Sequence, residues 1–445
     1  MAQILLYILL AGNALVAPFV PWIGVLAYYT VSVYNPAAIW YWVFGDMRYA
    51  VYTSVPVLIG FVVLSLRQKI SLARLWDRQN LYLLIMWLSA VLSYLFSPFG
   101  HNTQTASVVF DSEYIVTTFT KVLLFYFISI MIIDTRRKLF YLTALMLFTI
   151  IYYTYWANDQ YLRFGLRGGR LPGPGTDITA KAIYTDENCF AMLFVVGIPF
   201  LYYFGMLYKN WILKVALLLC IPFAWHAIFL TSSRGGLVGL AAVSLYIWVR
   251  SRHRILGVAI LAALVAAFVF QGGSLRERSK TIIDYEEDGS AVGRVDAWKT
   301  GFSMMLDHPI TGVGIGNFMV AYPSYSSTKP RVAHNSVVQL GAETGVVAAI
   351  AYLCIFIDIF HWRRRTKRND IGEIDPLMMT IREAVDCSLF GFFVCSMFLS
   401  ISGYEVFYFV LLMKAAWWQI AMRQSTAGYD VASGRIAAAV RPEAA

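Results

Sequence analysis

Charge is what this sequence has least of. Only 14% of its 445 residues are Asp, Glu, Lys or Arg, while 59% are hydrophobic and the mean hydropathy is +0.61. A soluble domain of this size needs more charge to cover its surface, so a soluble fold is excluded. Cysteine is scarce as well. All five (Cys189, Cys220, Cys354, Cys387 and Cys395) lie inside apolar runs, so no loop disulfide is indicated. The alternating segments of about 10 residues that mark a transmembrane barrel are absent. No dinucleotide fingerprint is present either. Gly312-Val313-Gly314-Ile315-Gly316 has no βαβ unit around it and reads as turn residues. The N-terminus lacks a basic leader and a clear cleavage site, which fits a retained helix rather than a signal peptide. Acidic residues are the minority charge, 26 against 36 Lys and Arg, for a net charge of +10. That surplus sits largely in short loops between apolar runs, where it sets membrane orientation and does not argue for nucleic acid.

Apolar runs of about 17–22 residues recur along the chain, each long enough to cross a bilayer core of about 30 Å. Residues 4–34, broken by Pro18 and Pro21, form either one kinked crossing or two short ones. Clearer spans are expected near 50–66, 81–97, 116–133, 139–156, 188–207, 211–230, 237–249, 255–271, 336–360, 384–402 and 406–421. The 237–249 span is short unless it begins near Ser233. The fold class expected is an all-α polytopic membrane protein with about 12 transmembrane helices. It forms one transmembrane domain over 1–422, with a large loop at 272–335 containing short helices and a disordered cytoplasmic tail at 423–445. Basic loops at Arg67/Lys69/Arg74/Arg78, Arg136/Arg137/Lys138, Arg250/Arg252/Arg254 and Arg363/Arg364/Arg365/Lys367/Arg368 mark the inner side. The loops at 98–115, 157–187, 231–236, 272–335 and 402–405 then face outward.

This topology points the N-termini of the spans near 188, 234 and 336 outward. A helix N-terminus presents free N–H groups and the positive end of a dipole, which suits anions. Each start carries a polar signature: Asp186-Glu187-Asn188, Ser233-Arg234-Gly235-Gly236 and His334-Asn335-Ser336. Asp186, Ser233 and Asn335 also read as simple N-caps. Arg234 sits between two apolar runs, either as a functional charge or as a snorkelling one, and the two glycines behind it permit close approach to the backbone. The 157–187 loop adds Arg163, Arg167, Arg170 and Lys181 on the side that should be poor in basic residues. They bind an external anion or pair with Asp159, Asp177, Asp186 and Glu187. Lys121, about two turns into its span, reaches a phosphate or snorkels.

Within the large loop, Val295, Trp298, Phe302 and Met305 recur at helical spacing, predicting an amphipathic helix over 291–306 that bears Arg294 and Lys299 and ends at His308-Pro309. His334 is the candidate proton-transfer group, because an imidazole kept neutral is a base near neutral pH. Glu343, nine residues on, falls on roughly the opposite helix face and is not expected to orient it directly. His226 reads as a satisfied core residue and His308 as structural. The acidic run Asp284/Glu286/Glu287/Asp288 has no second ligand group, so no metal site is expected.

These segments together resemble the O-antigen ligase/polymerase superfamily. Ser233-Arg234-Gly235-Gly236, Gly293-Arg294-Val295-Asp296-Ala297-Trp298, His308-Pro309-Ile310-Thr311-Gly312-Val313-Gly314, His334-Asn335 and Glu343-Thr344-Gly345 stand in that family's order over roughly 185–350. A shorter N-terminal part, Pro21-Trp22-Ile23-Gly24-Val25-Leu26 with Asn35-Pro36, looks like exosortase-associated O-glycosylation ligases. The resemblance implies a metal-independent, cofactor-free, GT-C-like glycosyltransferase of the bacterial inner membrane with 272–335 as its large periplasmic loop. The implied donor is a glycan on undecaprenyl pyrophosphate, and the implied acceptor is a glycan, lipid A-core or protein. Its functional residues fall on Arg234, Arg294 and His334. Arg163, Arg167, Arg170, Lys121, Asn188, Lys299 and Asn335 are the expected substrate-binding set. A polymerase of lipid-linked repeat units is the alternative, and a transporter or flippase the distant one.

Overall fold

The computed structural model describes residues 2–40, 49–67, 70–103, 111–166, 168–175, 184–250, 289–368, 374–400 and 404–432. The expected span at 255–271, the acidic run at 284–288, Arg167 and Lys181 lie outside them. The described residues are helical, with no strand among them. In chain order the helices are α1 (Ala2–Val16), α2 (Pro21–Tyr29), α3 (Pro36–Ile39), α4 (Tyr49–Leu66), α5 (Arg78–Leu95), α6 (Ser112–Ile132), α7 (Arg136–Phe164) and α8 (Glu187–Leu207). There follow α9 (Trp211–Thr231), α10 (Arg234–Arg250), α11 (Gly289–Asp307), α12 (Phe318–Ala321), α13 (Ser336–Thr344), α14 (Val346–Arg368), α15 (Pro376–Ser396) and α16 (Glu405–Ala432).

Among the described residues five helices are long and apolar enough to cross a membrane: α4, α6, α7, α8 and α9. The chain is therefore an α-helical polytopic membrane protein, while the figure of about 12 crossings goes beyond what these helices support. At the heart lies α8, with Phe190, Phe194, Phe200 and Phe204 fully buried. It can be enclosed because its neighbours approach through small residues, as interhelical packing in lipid requires. A Cβ on Gly239 of α10 would strike Cys395 and Val195, and one on Gly391 of α15 would strike Val243 and Val195. Ser388 of α15 donates to the Val196 carbonyl at 2.6 Å, satisfying a hydroxyl that lipid would leave unpaired.

The N-terminal ambiguity resolves into a hairpin. Asn13 donates to the Thr53 carbonyl, a Cβ on Gly60 would meet the Ala17 and Pro18 carbonyls and Pro21, and one on Gly24 would meet Val57. Progress from 13 to 17 thus runs up α4, and progress from 21 to 24 runs back down it. The chain reverses at residues 17–20, where two prolines deny a continuous helix its N–H groups.

The span expected at 336–360 is corrected. It breaks at Gly345, whose φ of 91° suits glycine and whose Cβ, if present, would strike the Pro309 and Ile310 carbonyls. The short α13 before it packs on α11, and only α14 behind it continues through the bundle. The expected 237–249 span starts at Arg234, which gives it length. The last helix runs to Ala432, so the stretch from 423 that was expected to be disordered begins as helix.

Two sets of loops gather at opposite ends of the bundle. Ser93 donates to the Glu343 carbonyl, Ser97 to Val313, Asn317 to Gly100 and Ser112 to Ile315, which ties the segments around 100 and 111 to the glycine-rich turn at 312–316. At the other end Arg74 pairs with Asp134, Lys138 with Asp134, Arg136 with Asp375, and Gln419 donates to the Arg74 carbonyl. Of the basic loops grouped in the sequence, those around Arg74 and Arg136–Lys138 meet at this end.

Candidate active site

His334 occupies a left-handed backbone conformation, φ 47°. A non-glycine residue costs roughly 1–3 kcal/mol there and stays only when its neighbours over-determine it. They do. On the N-terminal side, the Ala333 N–H donates to Gln339 Oε1 at 2.9 Å and the Ala333 carbonyl accepts from Trp298 Nε1 at 2.8 Å. On the C-terminal side, Asn335 caps α13 by accepting the Val337 and Val338 N–H groups, and Ser336 donates to the Leu399 carbonyl at 2.7 Å. Ser400 adds a hydroxyl to Gln339 Oε1 at 3.1 Å. The histidine is clamped between α11, α13 and the end of α15.

Gln339 is itself held. Its amide nitrogen donates to Glu343 Oε1 at 2.6 Å, and the same oxygen receives the Phe318 N–H at 3.3 Å. Burial raises the Glu343 carboxyl to about 7, opposed by the Gln339 hydrogen bond. Glu343 therefore does not touch His334, as its helix face indicated, but reaches it through Gln339.

The α15 end joins this clamp to Arg234. A Cβ on Gly235 would press on Phe398, and one on Gly236 would press on Ala191. The close approach that these glycines allow is thus taken up by protein side chains. Ser233 accepts the Gly236 N–H at 3.1 Å and donates to Asn188 Oδ1 at 2.7 Å, fastening the start of α10 to the start of α8. Asp186 caps α8 by accepting the Asn188 and Cys189 N–H groups at 2.9 Å each. The three N-caps foreseen in the sequence exist, and their helix starts converge. Ser232 closes α9 with a φ of 55°, and its hydroxyl donates to Gly169, so residues 168–171 wall this side.

The electrostatics of His334 identify what surrounds it. Its pKa lies below the ordinary histidine value, first through burial, then through the charges of Arg294 and Arg331, with Asp186 pulling the other way. Arg294, Arg331 and Asp186 thus all act on this imidazole, and the balance favours its neutral form. The Arg331 guanidinium lies over Gly293, next to Arg294. Its segment is pinned to α11 by Asp296, whose Oδ2 accepts from Tyr322 at 2.7 Å, from Ser326 at 3.3 Å and from Thr328. These bonds, that to Thr328 first, hold Asp296 below the usual carboxylate range. No group of three or more His, Cys, Asp or Glu that would hold a metal stands among the described residues.

The remaining expected residues divide. Asn188 and Asn335 join the cluster, as partner of Ser233 and as cap. Arg163 pairs with Asp159 at 2.7 Å and Arg170 with Glu187, so for these two the pairing alternative holds. Lys121 and Lys299 are exposed on α6 and α11, and no bond joins either to the His334 cluster. The α11 stripe holds in part, with Met305 buried and Trp298 packed against the same cluster. Ala297, Thr300, Gly301, Met304 and Met305 face inward, while Phe302 is 56% exposed. Gly301 sits on Val338 and Met305 on Gly341, so the small side chains, not the bulky ones, let α11 close on α13. Sequence reading passed over Gln339, Ser400 and the position of Arg331 against Gly293. Only the glycine beside Arg294 hinted at a guanidinium packed there.

Residues 215–353 match the model of the O-antigen ligase family, a segment holding Arg234, Arg294, Arg331 and His334. The chain is also similar to the teichuronic acid biosynthesis protein TuaE of Bacillus subtilis (strain 168), 27% identical over 192 residues. That similarity covers 39% of this chain and 39% of the relative, so the chain spans well under two thirds of the length of the curated relative it matches. The resemblance to the O-antigen ligase superfamily, read first from motifs, is present over the segment that builds the site.

Proposed function

We propose that this protein is a glycosyltransferase of the bacterial inner membrane, working at the periplasmic face. It moves a glycan from undecaprenyl pyrophosphate to an acceptor hydroxyl without a metal. The observation that carries this reading is the imidazole of His334, held neutral in a strained, clamped turn with the charges of Arg294 and Arg331 acting on it. A neutral base beside positive charge suits a reaction that takes a proton from one group while releasing an anion from another.

The acceptor oxygen bonds to C1 of the sugar from the face opposite the diphosphate, its proton passes to His334, and the C1–O electron pair leaves on undecaprenyl pyrophosphate. C1 inverts. Arg234 and Arg294 hold the diphosphate and stabilise the charge that grows on it. Purified protein given a lipid-linked glycan and an acceptor releases undecaprenyl pyrophosphate and labels the acceptor. Donor binding with no such release, in the presence of every acceptor class, would favour the transporter reading.

A polymerase uses the same donor chemistry and differs in acceptor. The similarity to a protein of teichuronic acid biosynthesis favours keeping it. Product analysis separates the two: a ladder of glycans on lipid carrier means polymerase, and label on lipid A-core or protein means ligase.

A further inference from the structure

We propose that Arg331 is a third guanidinium of the diphosphate site, seated on Gly293 so that it and Arg294 face one anion from neighbouring positions. The proposal rests on the diphosphate-donor reading above and adds a residue to it.

Three observations carry it. First, the seat is specific: a Cβ at position 293 would fall on the Arg331 guanidinium, so this side chain crosses the α11 backbone where only glycine leaves room. Second, the loop that delivers Arg331 is fixed. The three hydroxyls on Asp296 Oδ2 hold residues 322–328 to α11, and Trp298 and Gln339 hold Ala333 on its other side. Third, the charge is not neutralised locally. The Arg331 side chain donates through Nε to the Lys329 carbonyl at 3.3 Å, and no carboxylate among the described residues lies within ion-pair distance of it. Asp296 is near enough to sense the charge, but its Oδ2 is already taken by hydroxyls. The terminal nitrogens of Arg331 are thus available to a bidentate anion three residues from His334.

The test uses the full chain purified into nanodiscs, with radiolabelled inorganic pyrophosphate and undecaprenyl pyrophosphate as probes. Arg331→Gln should weaken both by on the order of ten- to a hundredfold, the worth of one charged hydrogen-bonded contact. Arg331→Lys should fall between, because a point charge replaces the fork. Gly293→Ala should weaken binding comparably while leaving every charge in place, which a purely electrostatic role would not produce. Circular dichroism and thermal unfolding check that each variant is folded. Should Arg294→Gln lose pyrophosphate while folded Arg331→Gln and Arg331→Lys bind like the parent, Arg331 is excluded and the donor reading stands. If none of the Arg234, Arg294 and Arg331 variants changes binding, both fail. A defect seen only as weaker association with phosphatidylglycerol in the disc would assign Arg331 to bulk lipid and overturn the proposal.

Discussion

Two clusters of charge in this protein are built in opposite ways. Inside the bundle, Lys414 of α16 donates to Asp358 of α14 at 2.9 Å and to Gln79 of α5 at 3.0 Å. Gln79 in turn donates to Tyr126 of α6 at 2.6 Å and to the Leu411 carbonyl, and Tyr126 donates to Asn80 at 2.9 Å. Lys414 and Asp358 are 3% and 4% exposed. Among the described residues this network pairs one buried cation with one buried carboxylate, and it binds four helices together. At the end of the bundle where α8, α10 and α13 begin, Arg294 and Arg331 act on a half-buried imidazole, with Asp186 as the opposing charge. Of the charged groups acting on this imidazole, two are guanidiniums and one is a carboxylate. An ionisable group within a membrane protein invites a functional reading, and the contrast is between an ion pair sealed inside the bundle and charges gathered around one imidazole at its end.

The largest effect that tests the contrast is at His334. His334→Ala should lower transfer by on the order of 10²–10⁴-fold, the range for losing a general base, with thermal stability kept. In the parent, activity needs the imidazole unprotonated. Because the His334 pKa is depressed, the acid limb of the pH profile should lie below the usual histidine value, with rate lost as pH falls through it. Arg331→Gln removes one depressing charge, so it should move that limb to higher pH. A limb that stays put would separate the two residues.

Next in size is the buried network. Lys414→Met leaves Asp358 buried without its cation and should destabilise the fold by about 3–5 kcal/mol. The double variant Lys414→Met/Asp358→Leu should regain much of that loss. Thermal unfolding in detergent measures both, and transfer per folded molecule should stay close to the parent's. A folded Lys414→Met protein without transfer would break the contrast, since it would give the inner cluster a part in the chemistry.

Smaller effects should come from the residues that hold His334 in place. Gln339→Ala removes the acceptor of the Ala333 N–H and should lower the transfer rate about tenfold while leaving pyrophosphate binding intact, as loss of orientation does. Glu343 adds a pH signature of its own. Its carboxyl is raised from the unfolded value to about 7. The stability it allows is therefore fully present below the unfolded value and is lost as pH rises through about 7. The melting temperature should fall by a few degrees across that window. Glu343→Gln, neutral throughout, should flatten the curve.

Much of this was legible from the chain. Apolar runs are long and bounded by charge, so the helices and their grouping at two ends could be read directly. Asp186 and Asn335 are N-caps because short polar side chains before apolar runs have few other uses. His334, at such a boundary, drew notice for the same reason. The break at Gly345 was hidden, since a glycine inside an apolar run reads equally as close packing. Lys414 and Asp358 lie 56 residues apart, so neither announces the other. Gln339 and Ser400 act only because three elements meet at the histidine turn. Such coincidences belong to the fold and leave no spacing to read.

The smallest effect is expected at the paired arginines of the 157–187 segment. Arg163 is paired with Asp159 and Arg170 with Glu187, each arginine exposed. Exposed pairs contribute little to stability, typically below about 1 kcal/mol. Arg163→Gln and Arg170→Gln should therefore leave melting nearly unchanged. Their effect on transfer should be under about threefold at 0.15 M salt, because an exposed charge that already has a counter-ion is further screened there. At low salt a modest loss in donor capture should emerge, as long-range attraction of an anionic headgroup regains reach. Transfer measured at both ionic strengths decides the matter. A tenfold loss at physiological salt would mean that these guanidiniums exchange their carboxylates for the donor, placing them and the His334 cluster on the same footing.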